Sequence, residues 1–153
     1  MNSTPSSWAT TEQARLAMKA NRSRDTKPEI AVRRALHRRG WRFRIEFHAL
    51  QNDKRRTVDI AFTRHRLAIQ IDGCFWHGCK DHFVLPKANR QYWKDKITRN
   101  QARDLETNQL LKEDGWIVLR FWEHESIESI VSIIENTLNS TSTDRHKGQP
   151  SRN

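Results

Sequence analysis

Two aspartates of this 153-residue chain lie where carboxylates are unusual, because their sequence neighbours are apolar. Asp59 lies inside the segment VDIAF, and Asp72 ends the segment LAIQID. A carboxylate within an apolar strand is unfavourable unless it is paired or bound to a cation, and two on neighbouring strands repel each other. Mg²⁺ is the ion that carboxylates hold together with water and substrate phosphate. The pattern predicts a magnesium site at Asp59 and Asp72; the alternative, weaker for Asp59, is a pair of surface acids at strand ends.

Four further residues are of the types that bind zinc, and three of them lie in the segment DGCFWHGCKDHF. They are Cys74, Cys79, His82 and His124. The first three have the spacing C-x4-C-x2-H, and tetrahedral Zn²⁺ takes four such N and S ligands. The sequence therefore predicts a zinc site, with Asp81 as an alternative to His82. A disulfide between two cysteines so close in sequence would not stabilise a fold, which favours free thiols in a reducing compartment. The alternative to a zinc site is that these thiols and loop histidines bind no ion.

The same segment holds a histidine and two aromatic residues with other roles open to them. His77 is close in sequence to Asp72 and is left free by the zinc ligands, so it is a candidate general acid or base. Phe75 and Trp76 lie in a loop, where no regular element buries them. We expect them to stack on nucleobases or to wedge between base pairs, unless they close over the core.

Capping residues and hydrophobic periodicity mark the elements that must position these side chains. Thr26, Pro28 and Glu29 are typical of a helix N-terminus, and Gly40 ends that helix. The predicted strands are 41–47, 57–63, 66–72 and 116–122, and the later helices are 90–113 and 126–138. The order is α-β-β-β-α-β-α around one mixed sheet, in which the nearly continuous apolar run WIVLRFW predicts a central fourth strand.

The long helix has polar residues on its inward side. At about 100° per residue, one stripe groups Trp93, Ile97, Asn100, Asp104 and Leu111. Asn100 and Asp104 therefore share a face with apolar residues, which suits a site that the helix reaches. The alternative is a hydrated groove.

Basic residues are concentrated near the start of the chain. The net charge is +10, and residues 1–56 hold 14 Lys and Arg against 5 Asp and Glu. This positive charge favours the binding of a polyanion, so we expect Arg22, Arg24 and their basic neighbours to bind DNA phosphates. The alternative is that the basic residues only form a solubilising surface.

Composition also predicts the domain limits. Polar ends indicate a flexible N-terminus at 1–10 and a disordered tail at 139–153, around a single domain at 11–138 that starts with a short basic helix at 11–20. No apolar run approaches the ~20 residues that a membrane span needs, and no signal peptide is indicated.

Taken in order, these motifs resemble the very short patch repair (Vsr) endonucleases. The matching residues run from Asp59 through DGCFWHGC to Trp93, Asn100, Asp104 and the segment WEH that ends at His124. The similarity covers about residues 12–135, and the run GCFWHGC is its most specific part. Members of this family nick DNA beside a T:G mismatch left when 5-methylcytosine deaminates.

The resemblance implies an α/β fold with a PD-(D/E)xK restriction-endonuclease-like core, a mixed central sheet flanked by helices, and a structural zinc. It implies that Asp59 binds the catalytic Mg²⁺ and that His77 is the catalytic histidine. The polar residues that it places beside them are Glu29, Asn100 and Asp104. The aromatic residues that correspond to the family's DNA wedge are Phe75, Trp76 and Trp93.

Four positions depart from the family pattern. Asp72 stands where the best-known member has a histidine, and His124 stands where it has a cysteine. Val58 replaces the usual proline of the nuclease signature, and Cys74 occupies the position of its lysine. Glu29 also has a competing explanation as a capping-box residue.

From residues and resemblance together we expect a monomeric, Mg²⁺-dependent hydrolase of mismatched double-stranded DNA, in the bacterial cytoplasm with the nucleoid. A mismatch-repair factor is a candidate partner by family analogy alone. One alternative is a related nuclease that cuts matched or modified DNA in a restriction system. Another is a non-catalytic, zinc-stabilised DNA-binding module.

Overall fold

A computed structural model describes residues 25–147, with side chains described as far as residue 142. The helices are α1 (Lys27–Arg38), α2 (Arg90–Glu113) and α3 (Ile127–Lys147), and the strands are β1 (Arg44–Phe47), β2 (Val58–Phe62), β3 (Leu67–Asp72) and β4 (Ile117–Trp122). This order confirms the predicted α-β-β-β-α-β-α arrangement. The predictions for 1–10, for the helix at 11–20 and for Arg22 and Arg24 lie outside the described residues. Between residues 25 and 147, no helix is both long and apolar enough to cross a bilayer.

The start of α1 follows from its sequence. The Thr26 hydroxyl accepts a hydrogen bond from the backbone N–H of Glu29 at 3.4 Å, and Pro28 occupies the first turn, where no N–H partner is needed. The helix ends at Arg38, and Gly40 follows two residues later with a φ of +87°, which is readily adopted only by glycine. These local signals place Glu29 in the first turn, facing inward and only 2% exposed.

The sheet has the strand order β1-β2-β3-β4. The first two pairings are antiparallel, whereas β3 and β4 are parallel and are connected through α2. The prediction of a central fourth strand is wrong, because β4 is an edge of the described sheet. Its apolar sequence has another cause: Phe121 packs with the core on one side of the sheet, and Val118 packs with the residues under α2 on the other.

The two faces of the sheet differ in character. One face is apolar and packs against α1 and α3, where Ile60 and Ile69 are fully buried. Alternation along each strand directs Ala61 and Ala68 to the opposite face, where they pack with Leu111 of α2. Small side chains at these positions let α2 lie close to the sheet, beside the polar residues of the same face.

Helix α3 continues beyond Leu138, where the sequence predicted that it would end and a disordered tail would begin. Serine and threonine are accommodated within it, and their hydroxyls donate to carbonyls of the preceding turn. Ser140 donates to the Asn136 carbonyl at 2.9 Å, and Ser142 donates to the Leu138 carbonyl at 3.0 Å. The predicted tail from residue 139 is therefore helical as far as Lys147.

The close packing of α2 can be tested by substituting Ala68→Leu. Extra methylenes at this fully buried position would clash with the residues under α2 and lower the free energy of unfolding by ~1–3 kcal/mol. Denaturation curves measure this loss. The control is Ile69→Leu, on the opposite face, which conserves volume and should lose less. Equal stability of the wild type and Ala68→Leu would contradict the packing described.

Candidate active site and metal centre

A cleft of about 650 Å³ lies between the α2 side of the sheet and the loop that follows β3. All six predicted catalytic residues line it: Glu29, Asp59, Asp72, His77, Asn100 and Asp104. They come from α1, β2, β3, the following loop and α2, so the cleft exists only where these elements converge.

Asp59 is held by the backbone of the neighbouring strand. Its Oδ2 atom accepts a hydrogen bond from the backbone N–H of Ile71 at 2.7 Å, and no described residue donates to Oδ1. The pKa of Asp59 is raised to about 7, chiefly by burial and also by the nearby carboxyl groups of Glu29 and Asp72. A cation beside Asp59 would stabilise its ionised form, and the magnesium site at this residue stays a prediction.

Glu29 lies at the same end of the cleft. Its Oε2 atom accepts hydrogen bonds from the backbone N–H of Asp25 at 2.9 Å and from Arg33 Nη2 at 3.1 Å. Burial raises the pKa of Glu29, and Arg33 only partly offsets this. The carboxylate therefore does cap the start of α1, but through Asp25 rather than through the N-cap residue Thr26, and it also faces the acidic cleft.

His77 lies between two carboxylates. Its Nδ1 atom is 2.5 Å from Asp104 Oδ2, and its Nε2 atom is 3.8 Å from Asp72 Oδ1. Burial lowers the pKa of His77, but the hydrogen bond to Asp104 and the charges of both carboxylates outweigh this and raise it. The bond at Nδ1 fixes the ring, which leaves Nε2 as the nitrogen that can exchange a proton in the cleft.

Sequence reasoning missed Arg120 of β4, which also lines the cleft. Its Nη1 atom donates to Asp72 Oδ1 at 2.7 Å, and its Nε atom donates to Asn108 Oδ1 at 2.7 Å. Burial raises the pKa of Asp72, although Arg120 opposes this shift. The available signal was an arginine in the middle of an apolar strand, which is as unusual as Asp59 in β2.

Several bonds dock the loop after β3 onto α2. Asn100 donates to the Trp76 carbonyl at 2.8 Å, and Gln101 donates to the His77 carbonyl at 3.2 Å. Gly78 has a φ of +65°, and a Cβ at this position would lie 2.8 Å from Ile97 Cγ2. The loop can approach α2 this closely only because residue 78 has no side chain.

The three aromatic residues of the predicted DNA wedge form one cluster. The rings of Phe75 and Trp76 are 5.3 Å apart, and Phe75 also contacts Trp93 edge to face at 5.1 Å. Phe75 and Trp76 are half-buried, whereas Trp93 is only 1% exposed. Trp93 therefore supports the other two from beneath, which corrects the prediction that its own side chain enters DNA.

The four predicted zinc ligands converge, although His124 is distant in sequence from the other three. One ligand atom from each of Cys74, Cys79, His82 and His124 lies within 4.8 Å of the others. The Sγ of Cys74 is 3.1 Å from His124 Nδ1, and the Sγ of Cys79 is 3.8 Å from His82 Nδ1. These separations suit a tetrahedral ion with Zn–S and Zn–N bonds of about 2.0–2.3 Å. The donor set is also the one that zinc prefers.

Comparisons with known proteins add independent information. A family model described as DNA mismatch endonuclease Vsr matches residues 7–82. The chain is 46% identical over 122 residues to "Type II nicking enzyme V.NaeI" of Lentzea aerocolonigenes. The aligned region covers 79% of this chain and 74% of that protein.

Two further relatives extend the comparison. "Type II nicking enzyme V.NmeDIP" of Neisseria meningitidis serogroup C is 35% identical over 128 residues, with 82% of this chain and 84% of the relative covered. "DNA mismatch endonuclease Vsr" of Escherichia coli strain K12 is 34% identical over 107 residues, with 69% and 66% covered.

The raised pKa of Asp59 makes stability depend on pH. The pKa of an Asp in an unfolded chain is ~4, and that of Asp59 in the folded protein is about 7. The free energy of unfolding therefore falls as the pH rises through this range, because the folded state binds the proton more tightly. The substitution Asp59→Asn removes this charge and keeps an oxygen for the Ile71 N–H. Without divalent ions, we expect the variant to melt several degrees above the wild type at pH 8, with the difference shrinking towards pH 4. Thermal melts across this range measure it, and a difference that is constant with pH would contradict the assignment.

Proposed function

We propose, from the premise that this chain belongs to the Vsr family of DNA endonucleases, that it nicks one strand of duplex DNA beside a T:G mismatch. Such a mismatch arises when 5-methylcytosine deaminates. The observation that carries this proposal is the cleft itself, in which buried acids and a carboxylate-bound histidine lie beside an aromatic cluster. Hydrolysis of the DNA backbone and recognition of a base step would then take place side by side in this cleft.

The proposed catalytic ion is Mg²⁺, held by Asp59 and Asp72. Each carboxylate has one oxygen that accepts no hydrogen bond from a described residue: Oδ1 of Asp59 and Oδ2 of Asp72. Carboxylate oxygens are the ligands that Mg²⁺ prefers. The ion would polarise the phosphate and stabilise the leaving oxygen. Glu29 adds negative charge at the same end of the cleft.

The proton transfer is assigned to His77. Hydrolysis replaces one P–O ester bond by a bond from phosphorus to a water oxygen, so a proton must leave the water and one must reach the leaving oxygen. Asp104 holds Nδ1, so Nε2 is the atom that accepts or donates this proton. Asn100 acts indirectly, because it fixes the carbonyl of Trp76 next to the histidine.

Mismatch selectivity is assigned to Phe75 and Trp76. Both are half-buried and are supported by the fully buried Trp93, so they form a braced aromatic projection beside the cleft. Inserting such side chains between base pairs costs a few kcal/mol of unstacking, and this cost is least at a mismatch. Basic residues that line the cleft, such as Arg55 and Arg103, would bind phosphates without selecting a sequence.

The proposed structural ion is Zn²⁺, bound by Cys74, Cys79, His82 and His124. Burial beside Cys79 raises the pKa of Cys74 to about 12, so a bound metal would replace the thiol proton. The ion would tie the loop that carries Phe75, Trp76 and His77 to the end of β4. Its role is to hold the wedge and the histidine in fixed relative positions.

A second candidate is a nicking enzyme that acts beside a restriction system. Several relatives are named Type II nicking enzymes, and these names do not mention a mismatch. These names support cleavage of one strand in either case. The two candidates differ in whether a mismatch is needed.

The decisive experiment compares duplexes that carry T:G, T:A or C:G at one position within randomised flanks, labelled on both strands. We expect Mg²⁺-dependent cleavage of one strand, only with T:G, and none in EDTA. Asp59→Ala should lose on the order of 10³-fold or more in rate while DNA binding persists. The control Asp95→Asn, at an exposed position of α2, should cut normally.

The outcomes separate the candidates. Equal cleavage of matched duplexes would favour the restriction-linked nuclease. Binding with no cleavage under any condition would favour a non-catalytic DNA-binding module. Full activity of Asp59→Ala would contradict the assignment of the catalytic carboxylate.

The zinc proposal is tested by elemental analysis, with one Zn expected per chain. Cys79→Ala should lose the ion and unfold the loop after β3, which lowers the melting temperature. His82→Asn should lose zinc and Asp81→Asn should retain it, because only His82 belongs to the four-residue cluster. The exposed His48→Ala serves as a control for histidine removal. A metal-free protein with an intact loop would contradict the site.

A further inference from the structure

Arg120 connects the two carboxylates that hold His77. Its Nη1 atom is 2.7 Å from Asp72 Oδ1 and 3.6 Å from Asp104 Oδ1. The same two carboxylates face the two ring nitrogens of His77. The four side chains thus form a closed ring in which cationic and anionic groups alternate when His77 is protonated.

Arg120 is itself held in place from two sides. In the parallel pairing of β3 with β4 it lies opposite Gln70, so its side chain is on the same face of the sheet as Asp72 two residues further on. Its Nε atom donates to Asn108 of α2 at 2.7 Å. The guanidinium therefore connects the sheet to the helix that carries Asp104.

The charges of the ring explain why a cation is needed there. Asp72, His77 and Asp104 offer ligand atoms within 4.8 Å of one another, an arrangement that could hold a metal ion. Arg120 places a fixed positive charge against both carboxylates instead. Without it, two carboxylates with restricted access to water would face each other across the histidine and would move apart.

We propose that Arg120 is a positioning residue for the reaction: the fixed cation that keeps Asp72 and Asp104 in place on the two sides of His77, with Asp104 bonded to Nδ1 and Asp72 3.8 Å from Nε2. This inference rests on the proposed nicking activity. It also explains how an aspartate is accommodated at position 72 with only 8% exposure, since its Oδ1 atom accepts a hydrogen bond from the arginine of β4.

The test is the kinetics of Arg120→Gln on the T:G duplex. We expect kcat to fall by ~10–100-fold, as for other residues that orient a catalytic group, while KM changes by less than about threefold. In a His77→Ala background, Arg120→Gln should cause no further loss of kcat, because it acts through that histidine. A purely structural role would not produce this dependence on His77.

Two variants control for loss of charge and loss of fold. Arg66→Gln removes an exposed arginine that pairs with Asp114 and does not line the cleft, so it should leave both kcat and KM within about twofold. If Arg120→Gln does not fold, the same comparison with His77→Ala is made with Arg120→Lys. The lysine keeps the positive charge but loses the hydrogen bond to Asn108. The double variant Asp72→Asn/Arg120→Gln should melt above Arg120→Gln, because the carboxylate that lies closest to the removed cation is then neutral as well.

The possible results are distinct. A wild-type protein that cuts no duplex contradicts the proposed function, and this inference with it. A wild type that cuts, together with an Arg120→Gln variant of equal kcat, contradicts this inference alone. So does a loss of kcat that is equally large in the His77→Ala background, or a change confined to KM, which would identify Arg120 as a DNA contact.

Discussion

The close approach of α2 to one face of the sheet is the contact on which the candidate site depends. Ala61 and Ala68 leave room for the helix, and Leu111 packs into that room. The same helix then carries Asn100, Asp104 and Asn108 over the polar end of the strands. Larger side chains on that face would move the helix outward and separate His77 and Arg120 from their partners, even with every catalytic residue unchanged.

The polar end of the cleft is a balance of buried charges. Glu29, Asp59 and Asp72 are anionic groups with raised pKa values, and Arg33 and Arg120 compensate only two of them. Asp59 is the acid without a cation of its own among the described residues. Burying carboxylates in this way is unfavourable for stability, so their retention is typical of a functional site. In the proposed function, Mg²⁺ would offset the charge of Asp59 and would let the anionic DNA phosphate approach this end of the cleft.

The loop between β3 and α2 carries both the aromatic residues and the histidine of the candidate site. Two half-buried aromatic rings and the histidine are consecutive in the chain, and the Cys/His cluster brackets them. Gly78 lets this loop lie against α2, and Asn100 and Gln101 bond its carbonyls. In the proposed function, a base step that receives the aromatic side chains would also place its backbone near His77, and selectivity for the mismatch would then be coupled to cleavage.

Much of this protein is determined by sequence signals that act over a few residues. The cap at Thr26 and Pro28, the glycine at 40 and the alternation of the strands predict the elements, because hydrogen bonding and burial at these points are local. Asp59 and the Cys/His spacing stand out for the same reason, since their neighbours make them unusual. The tertiary structure alone decided the edge position of β4, the burial of Trp93 and the pairing of Arg120 with Asp72. Each of these depends on which distant segments lie side by side. An arginine within an apolar strand is a visible signal, but the order of residues along the chain does not identify the carboxylate with which it pairs.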